Sequence, residues 1–257
     1  MHCRQQVAVG LMVVAIAAGG GSMSALSAQS VETAAGQTSL VDQGRQQAEQ
    51  GQLETAIATF TAAIAADTNP AAAYFHRGIA HHDLGDYDQA IDDFTAALGI
   101  RPNHAETLYY RGEAYTHLAD VTAAMSDFTQ AIALAPDFAR PYLDRGIIFA
   151  SLGDFPQALN DLDQVIALAP DSANAHYNRG KVYTELGQAD AAIADFDRAI
   201  QLNPELAEAY GNRGILQYQL GNTPAAQADL QQAADLFQAQ GDQPSYQQTL
   251  YFLQQVQ

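Results

Sequence analysis

The chain has 257 residues, of which 48% are hydrophobic and 16% charged, so it is long enough to bury a sizeable core. Its 29 acidic and 11 basic residues give a net charge of −18, which repels nucleic acid and anionic lipid headgroups. The single cysteine, Cys3, excludes disulfide-based stabilisation, cysteine-based zinc sites and thiol nucleophiles from a chain that loses its first residues.

The first 28 residues have the layout of a secretory signal. Arg4 gives a basic start, residues 7–18 are an unbroken run of apolar and small residues, and residues 25–28 are mostly small, as a cleavage site requires. This apolar run is shorter than the roughly 20 residues of a membrane span, so cleavage of the signal is favoured over its retention as an anchor. We expect contact with a membrane only if the segment stays uncleaved. We therefore expect export to the periplasm or another extracytoplasmic compartment of a bacterium, with a linker over residues 29–36.

An arginine–glycine pair recurs every 34 residues along most of the chain. The five copies are Arg77-Gly78, Arg111-Gly112, Arg145-Gly146, Arg179-Gly180 and Arg213-Gly214. Large residues flank each pair at helical spacing, a glycine follows, and a second apolar stripe ends near a proline. This periodicity predicts an array of two-helix units over 37–240, namely 37–70 (degraded), 71–104, 105–138, 139–172, 173–206 and 207–240. A capping helix is expected over 241–257.

Three local departures from the repeat carry their own predictions. Ala119 stands where the other units have a turn glycine, so we expect a less regular turn there. Pro70 comes two residues later than the other repeat prolines, which predicts a shifted entry into the second unit. Ser245 is expected to cap the last helix.

The pattern resembles the tetratricopeptide repeat, a helix–turn–helix of 34 residues. The residues that carry the resemblance are Tyr177, Gly180, Tyr183, Gly187, Ala192, Phe196, Ala199 and Pro204. The resemblance implies an all-α fold, a right-handed α-solenoid of antiparallel helix pairs. It also implies that first helices line a concave groove where a protein or peptide partner binds, and it leaves the oligomeric state undefined.

Each repeated arginine is followed sixteen residues later by an aspartate on the second helix of the same unit. The guanidinium fork suits a carboxylate, so we predict ion pairs across the helices. The predicted pairs are Arg77–Asp93, Arg111–Asp127, Arg145–Asp161, Arg179–Asp195 and Arg213–Asp229. Pairing with the next unit's arginine, or solvation of both groups, is the alternative.

The resemblance also implies which residues face the groove. They are Phe75, His76, His82, Tyr109, Tyr110, Glu113, Asp144, Tyr177, Asn178, Lys181 and Asn212. Aromatic residues with a few polar groups suit extended peptides or helices, although the tyrosines could equally be packing between first helices. The basic residues of the chaperone-binding carboxylate clamp are absent, so that clamp is not predicted.

No motif indicates catalysis or a cofactor: the sequence has no phosphate-binding glycine loop, no serine nucleophile motif and no HExxH. His76, His81, His82 and His117 cluster in two units, but their spacing matches no metal-ligand pattern, and His81 falls at a core position. We therefore predict a non-enzymatic scaffold. An envelope receptor for a small molecule or metal at the histidine end of the groove, or a self-assembling protein, are the alternatives.

Overall fold

A computed structural model describes residues 39–67 and 69–256; the expected signal and linker lie outside them. Within these ranges the chain forms thirteen α-helices and no strand, which confirms the all-α prediction. In these ranges no helix is both long and apolar enough to cross a bilayer. The helices are α1 (Leu40–Glu49), α2 (Leu53–Ala65), α3 (Pro70–Asp83), α4 (Tyr87–Ile100), α5 (Ala105–His117), α6 (Val121–Leu134), α7 (Ala139–Ser151), α8 (Phe155–Leu168), α9 (Ala173–Glu185), α10 (Ala189–Leu202), α11 (Ala207–Gln219), α12 (Thr223–Gln240) and α13 (Gln243–Gln255).

The helices stack as a right-handed α-solenoid. Each odd-numbered helix packs against the following even-numbered helix, and that second helix packs against the first helix of the next unit. Neighbouring first helices also touch, as α3 does α5 and α9 does α11. First helices therefore form the inner layer and second helices the outer layer, which places the groove on the first helices.

A glycine–phenylalanine contact holds the two helices of a unit close together. A Cβ atom added to Gly78 would lie 2.7 Å from the ring of Phe94, and Gly180 meets Phe196 in the same way. Both rings are fully buried. Only glycine lets the ring lie directly on the first helix, and burial of such a side chain stabilises the fold by roughly 1.5–3 kcal/mol. The glycine of each repeated pair is thus a packing residue.

The turn at Ala119 is regular, so the expectation of an irregular turn is wrong. Ala119 adopts a φ of 60°, close to the left-handed conformation of Gly153 and Gly187 in the equivalent turns. Its backbone N–H donates to Thr116 and that of Asp120 to Tyr115, the same bonds that the other turns make. The tight packing of the flanking helices imposes this geometry, and the alanine accepts the steric cost of a left-handed residue.

The two ends of the array differ from its middle. Pro70 is the first residue of α3, and Asn69 before it has a φ of 121°, so the entry to the second unit is shifted as expected. At the other end Asp242, and not Ser245, caps α13, because the Asp242 side chain accepts the Ser245 N–H at 3.1 Å. The predicted cap residue is therefore wrong; Ser245 lies in the first turn.

Helix α13 covers the open end of the core. Val256 is buried with Ala226 and Leu230 of α12, and Phe252 and Leu253 pack beside them. It packs against α12 as each other first helix packs against the second helix before it, so it occupies the place of the first helix of a seventh unit. A solenoid needs such a cap because its terminal unit would otherwise expose its apolar face.

All five predicted arginine–aspartate pairs meet across the helices. In each unit Nε and Nη2 of the arginine donate to the two oxygens of its aspartate over 2.6–2.9 Å. The aspartates are buried, Asp161 completely, while the arginines are shielded by aromatic rings such as Tyr74, which lies 5.5 Å from the Arg77 guanidinium. Bidentate, shielded pairs of this kind are the stronger class of ion pair.

Each of these arginines also reaches back to the preceding unit. Its Nη1 donates to a residue sixteen positions earlier, on the previous second helix. The acceptors are Thr61, Thr95, Thr129, Asp163 and Asp197. One guanidinium therefore connects three helices, and the five together form what we call the arginine ladder.

Removal of a buried ladder carboxylate should destabilise the array far more than removal of an exposed one. Asp161→Asn leaves the Arg145 cation without its counter-charge, and we expect a loss of about 3 kcal/mol in the free energy of unfolding. Asp163→Asn removes only an exposed acceptor of Arg179, which keeps Asp195, and should cost less than about 1 kcal/mol. Urea unfolding followed by circular dichroism measures both, and equal losses would contradict the ladder's role.

Candidate partner-binding groove

Residues at equivalent places on successive first helices form rows along the inner surface. One row comprises Tyr110, Asp144, Asn178 and Asn212, and a second comprises Ile79, Glu113, Ile147, Lys181 and Ile215. The 34-residue repeat places them in register, because each unit presents the same helical face. The inner surface thus varies from aromatic and acidic in the N-terminal units to amide-rich and apolar in the C-terminal units.

A cavity of 520 Å³ opens between α7, α9 and α11. Ile147, Ile215 and Leu216 give it apolar walls, while Asn178 and Asn212 place amides at its edge. Ile147 is 38% exposed, so an apolar side chain faces solvent here. Apolar surface with a few fixed polar groups is the usual composition of a binding site.

The amides beside this cavity are oriented by neighbours and keep spare bonding capacity. Asn212 Nδ2 donates to the Tyr177 hydroxyl at 3.0 Å, and Asn178 Nδ2 donates to the Asn174 carbonyl at 2.8 Å. Each amide has two donor hydrogens and one acceptor oxygen, so one hydrogen bond leaves capacity for a peptide backbone. Lys181 extends over the Tyr177 ring, with Nζ 5.5 Å from its centroid.

A second cavity, of 170 Å³, lies between α5 and α7 and contains two carboxyl groups. Glu113 and Asp144 line it together with Phe128, Ile147 and Ile148. Burial, and then the neighbouring Glu113 charge, raise the pKa of Asp144 to about 6. Burial likewise raises the pKa of Glu113. The pair therefore holds negative charge in a site that disfavours it.

The tyrosines predicted for the groove have different roles. Tyr109 is only 4% exposed and belongs to the core, so the prediction that its ring contacts a partner in the groove is wrong. Its hydroxyl interacts with Glu113 and Asp144, and burial together with these charges raises its pKa. Tyr110 and Tyr177 are half-buried and keep part of their surface on the inner face.

The N-terminal end of the inner surface is mostly self-packed. The Phe75 ring contacts the rings of His76, His104 and Tyr110, and His76 stacks on Phe60. A cavity of 290 Å³ lies beside Phe75 and His76. Burial lowers the pKa of His76 to about 4, so this imidazole is neutral at physiological pH.

The other predicted groove histidine, His82, belongs to an aromatic cluster. The His82 ring lies 5.3 Å from Tyr87 and 5.5 Å from His117, and Tyr87 stacks on His117 at 4.3 Å. His81 is half-buried, with Nδ1 3.8 Å from the Asp86 carboxylate. Among the residues that the structure describes, no three His, Cys, Asp or Glu side chains are placed to hold a metal ion.

Several residues of the site escaped sequence reasoning. Arg140 lies over the Tyr109 ring at 5.7 Å and affects the charge of the acid pair. Thr184 and Gln219 line the 520 Å³ cavity. Arg140 belongs to no repeated pair, so periodicity gives no signal for it. The ladder's second acceptors did leave a signal: Thr or Asp recurs sixteen residues before each repeated arginine.

A right-handed array of helix pairs with an open inner groove defines a helical-repeat protein, a fold typical of protein–protein interaction scaffolds and typically non-enzymatic. The chain belongs to the tetratricopeptide-repeat (TPR) family. Profiles described as tetratricopeptide repeat match residues 41–105, 83–137, 143–207 and 182–246. No curated protein sequence matches the chain.

Solved structures of other TPR proteins share the fold. A tetratricopeptide repeat protein from Parabacteroides merdae superposes with a TM-score of 0.65 at 19% identity, over 84% of this chain and 91% of that one. TTC0263 from Thermus thermophilus gives 0.57 at 25% identity, over 69% and 97%. YrrB, described as a TPR protein with an unusual peptide-binding site, gives 0.60 at 21% identity, over 75% and 96%.

The acid pair should make the free protein less stable at neutral pH. The pKa of Asp144 is raised in the folded chain from its usual 3.8 to about 6, so its charge destabilises the folded state above about pH 4, with the full cost above about pH 6. We expect Asp144→Asn to raise the free energy of unfolding by about 1–2 kcal/mol at pH 7.5, and by about half as much near pH 5. Urea titrations at both values measure this.

The matched control is Asp92→Asn, which removes a charge from an exposed place on α4. It should change stability by less than about 0.5 kcal/mol at either pH. A loss of stability at pH 7.5 on Asp144→Asn, or the same gain on Asp92→Asn, would show that the acid pair carries no such cost.

Proposed function

We propose that the chain is a passive scaffold that binds a protein or peptide partner in the inner groove between α5 and α13. The observation that carries this proposal is the open 520 Å³ cavity between α7, α9 and α11. It combines apolar surface with the amides of Asn178 and Asn212. The ladder arginines of the same helices are bound to the aspartates of the second helices. Binding would draw on buried apolar area and be fixed by polar groups.

The continuity of the groove supports an extended ligand. The 520 Å³ cavity shares Ile147 with the acidic cavity, and shares Asn212 and Ile215 with a 190 Å³ cavity that reaches Thr249 of α13. A segment running along these cavities would contact several units in succession, as in helix-in-groove or extended-peptide recognition. The peptide-binding site named for YrrB, which has this fold, agrees with such a role.

The partner should contact the inner face and not the outer one. A photo-crosslinking amino acid at Thr184, in the groove, should capture one partner in producing cells, whereas the same group at exposed Ala194 of α10 should not. With that partner purified, Ile147→Arg should weaken binding at least about tenfold, because a charge enters the apolar cavity. Isothermal titration calorimetry measures the affinity.

Leu152→Arg is the matched control, since Leu152 is 63% exposed but lies in the turn after α7. It should leave the affinity within about twofold of the original, and both variants should keep the original melting temperature. Equal effects of the two variants, or capture from Ala194 as strong as from Thr184, would overturn groove binding.

We also infer that the array works outside the cytoplasm, on the strength of the signal-like residues 1–28. Mass spectrometry of the protein purified from envelope fractions should find a mature chain beginning near Ala28 or Gln29. Replacement of Val13 by Asp should interrupt the apolar run and retain the protein in the cytoplasm. An intact N-terminus, or a soluble cytoplasmic pool of the original chain, would overturn export.

A further inference from the structure

The acidic cavity between α5 and α7 has the composition of a pocket for a cationic side chain. Its Glu113 and Asp144 carboxylates stand beside the apolar side chains of Phe128, Ile147 and Ile148. Lysine and arginine combine an aliphatic stem with a charged head, so their stems can lie on apolar walls while the head meets carboxylates. A neutral or acidic side chain would leave the pair's charge uncompensated.

The charges around the pair keep the pocket negative. Four other titratable groups interact with it: Tyr109, Arg140, His117 and Asp83. Arg140 is exposed and lies over the Tyr109 ring, so one positive charge stands against the three carboxylates of Glu113, Asp144 and Asp83. The chain as a whole carries −18, and five of its 11 basic residues are held in the ladder. Charge complementarity therefore favours a basic occupant.

The acidic cavity also lies next to the larger apolar cavity, and the packing of the helices sets the distance between them. Ile147 lines both the acidic cavity and the 520 Å³ cavity, which begins on the other side of α7. Packed helices are separated by about 8–10 Å. An extended chain in the polyproline II conformation advances about 3.1 Å per residue and presents every third side chain on the same face. Side chains that fill the two cavities would thus be about three residues apart.

From this arrangement we propose that the groove selects a partner segment in which a lysine or arginine stands about three residues from a bulky apolar residue. Glu113 and Asp144 receive the cation, and the cavity between α7, α9 and α11 receives the apolar side chain. The proposal rests on the proposed function, because it names the chemistry of the segment that occupies the same groove.

Short synthetic peptides test the selection directly. Fluorescein-labelled Gly/Ser decapeptides would carry Arg and Leu separated by two residues, in both orders, with matched peptides that carry Gln or Glu in place of Arg. Fluorescence polarisation with the full chain at about 0.15 M salt should show binding of the Arg peptide at least about tenfold tighter than of the Gln peptide. The Glu peptide should bind weakest.

Two double variants with the same net charge distinguish recognition by Glu113 and Asp144 from attraction of the peptide to the negative charge of the whole protein. Glu113→Gln combined with Asp144→Asn should bring the Arg peptide to the affinity of the Gln peptide. Asp92→Asn combined with Asp190→Asn makes the same charge change at exposed places on second helices, and should keep the affinity within about twofold. Acidification to pH 5 should reduce the preference for Arg, because the raised pKa values of Glu113 and Asp144 let the pair take up protons.

Equal affinity for Arg and Gln peptides, equal loss in the two double variants, or no binding of the Arg peptide at about 1 mM would overturn the selection. The experiments distinguish failure of the proposed preference for a basic segment from failure of groove binding itself. If the captured partner loses affinity on Ile147→Arg but binds the Glu113→Gln, Asp144→Asn chain normally, the groove binds a partner and the preference for a basic segment is wrong.

Discussion

The bidentate contact between an arginine on each first helix from α3 to α11 and a buried aspartate sixteen residues later is the interaction on which the array depends. The same guanidinium bonds the second helix of the preceding unit, so each of Arg77, Arg111, Arg145, Arg179 and Arg213 ties three helices. In a solenoid every unit contacts only its neighbours, so such contacts decide how one unit is set against the next. The ladder therefore fixes the curvature that brings successive first helices side by side.

The acidic residues of the arginine ladder differ from those of the groove in how their charges are compensated. Buried ladder acids such as Asp161 are matched by arginines that approach from their own unit. The groove acids Glu113 and Asp144 have no comparable match, and burial raises the pKa of both. Groups that cost stability in the free protein are characteristic of binding surfaces, where a ligand compensates them. The ladder acids thus stabilise the array, whereas the groove acids are the ones that we propose contact a partner.

The features that recur in every unit could be predicted from the sequence. The features that depend on how the units pack against one another could not. The arginine–aspartate spacing recurs every 34 residues, and so does the glycine that packs against a phenylalanine or leucine of the second helix, so the period indicates the helix pair. The left-handed turn at Ala119 could not be foreseen, because packing of the neighbouring helices overrides the preference of a single residue. Tyr109 occupies a groove position in the family pattern but is buried here, and the approach of Glu113 to Asp144 across units depends on the superhelical geometry.

In the arrangement that we propose, the ladder holds the second helices together while the first helices present a groove to a partner. A crystal structure of the full chain with its captured partner tests this most directly. The account predicts partner atoms within about 4 Å of Ile147 and Ile215, with every arginine–aspartate contact retained. A partner seated on the outer surface of α4, α6, α8 or α10, or ladder pairs broken to accommodate it, would contradict the account.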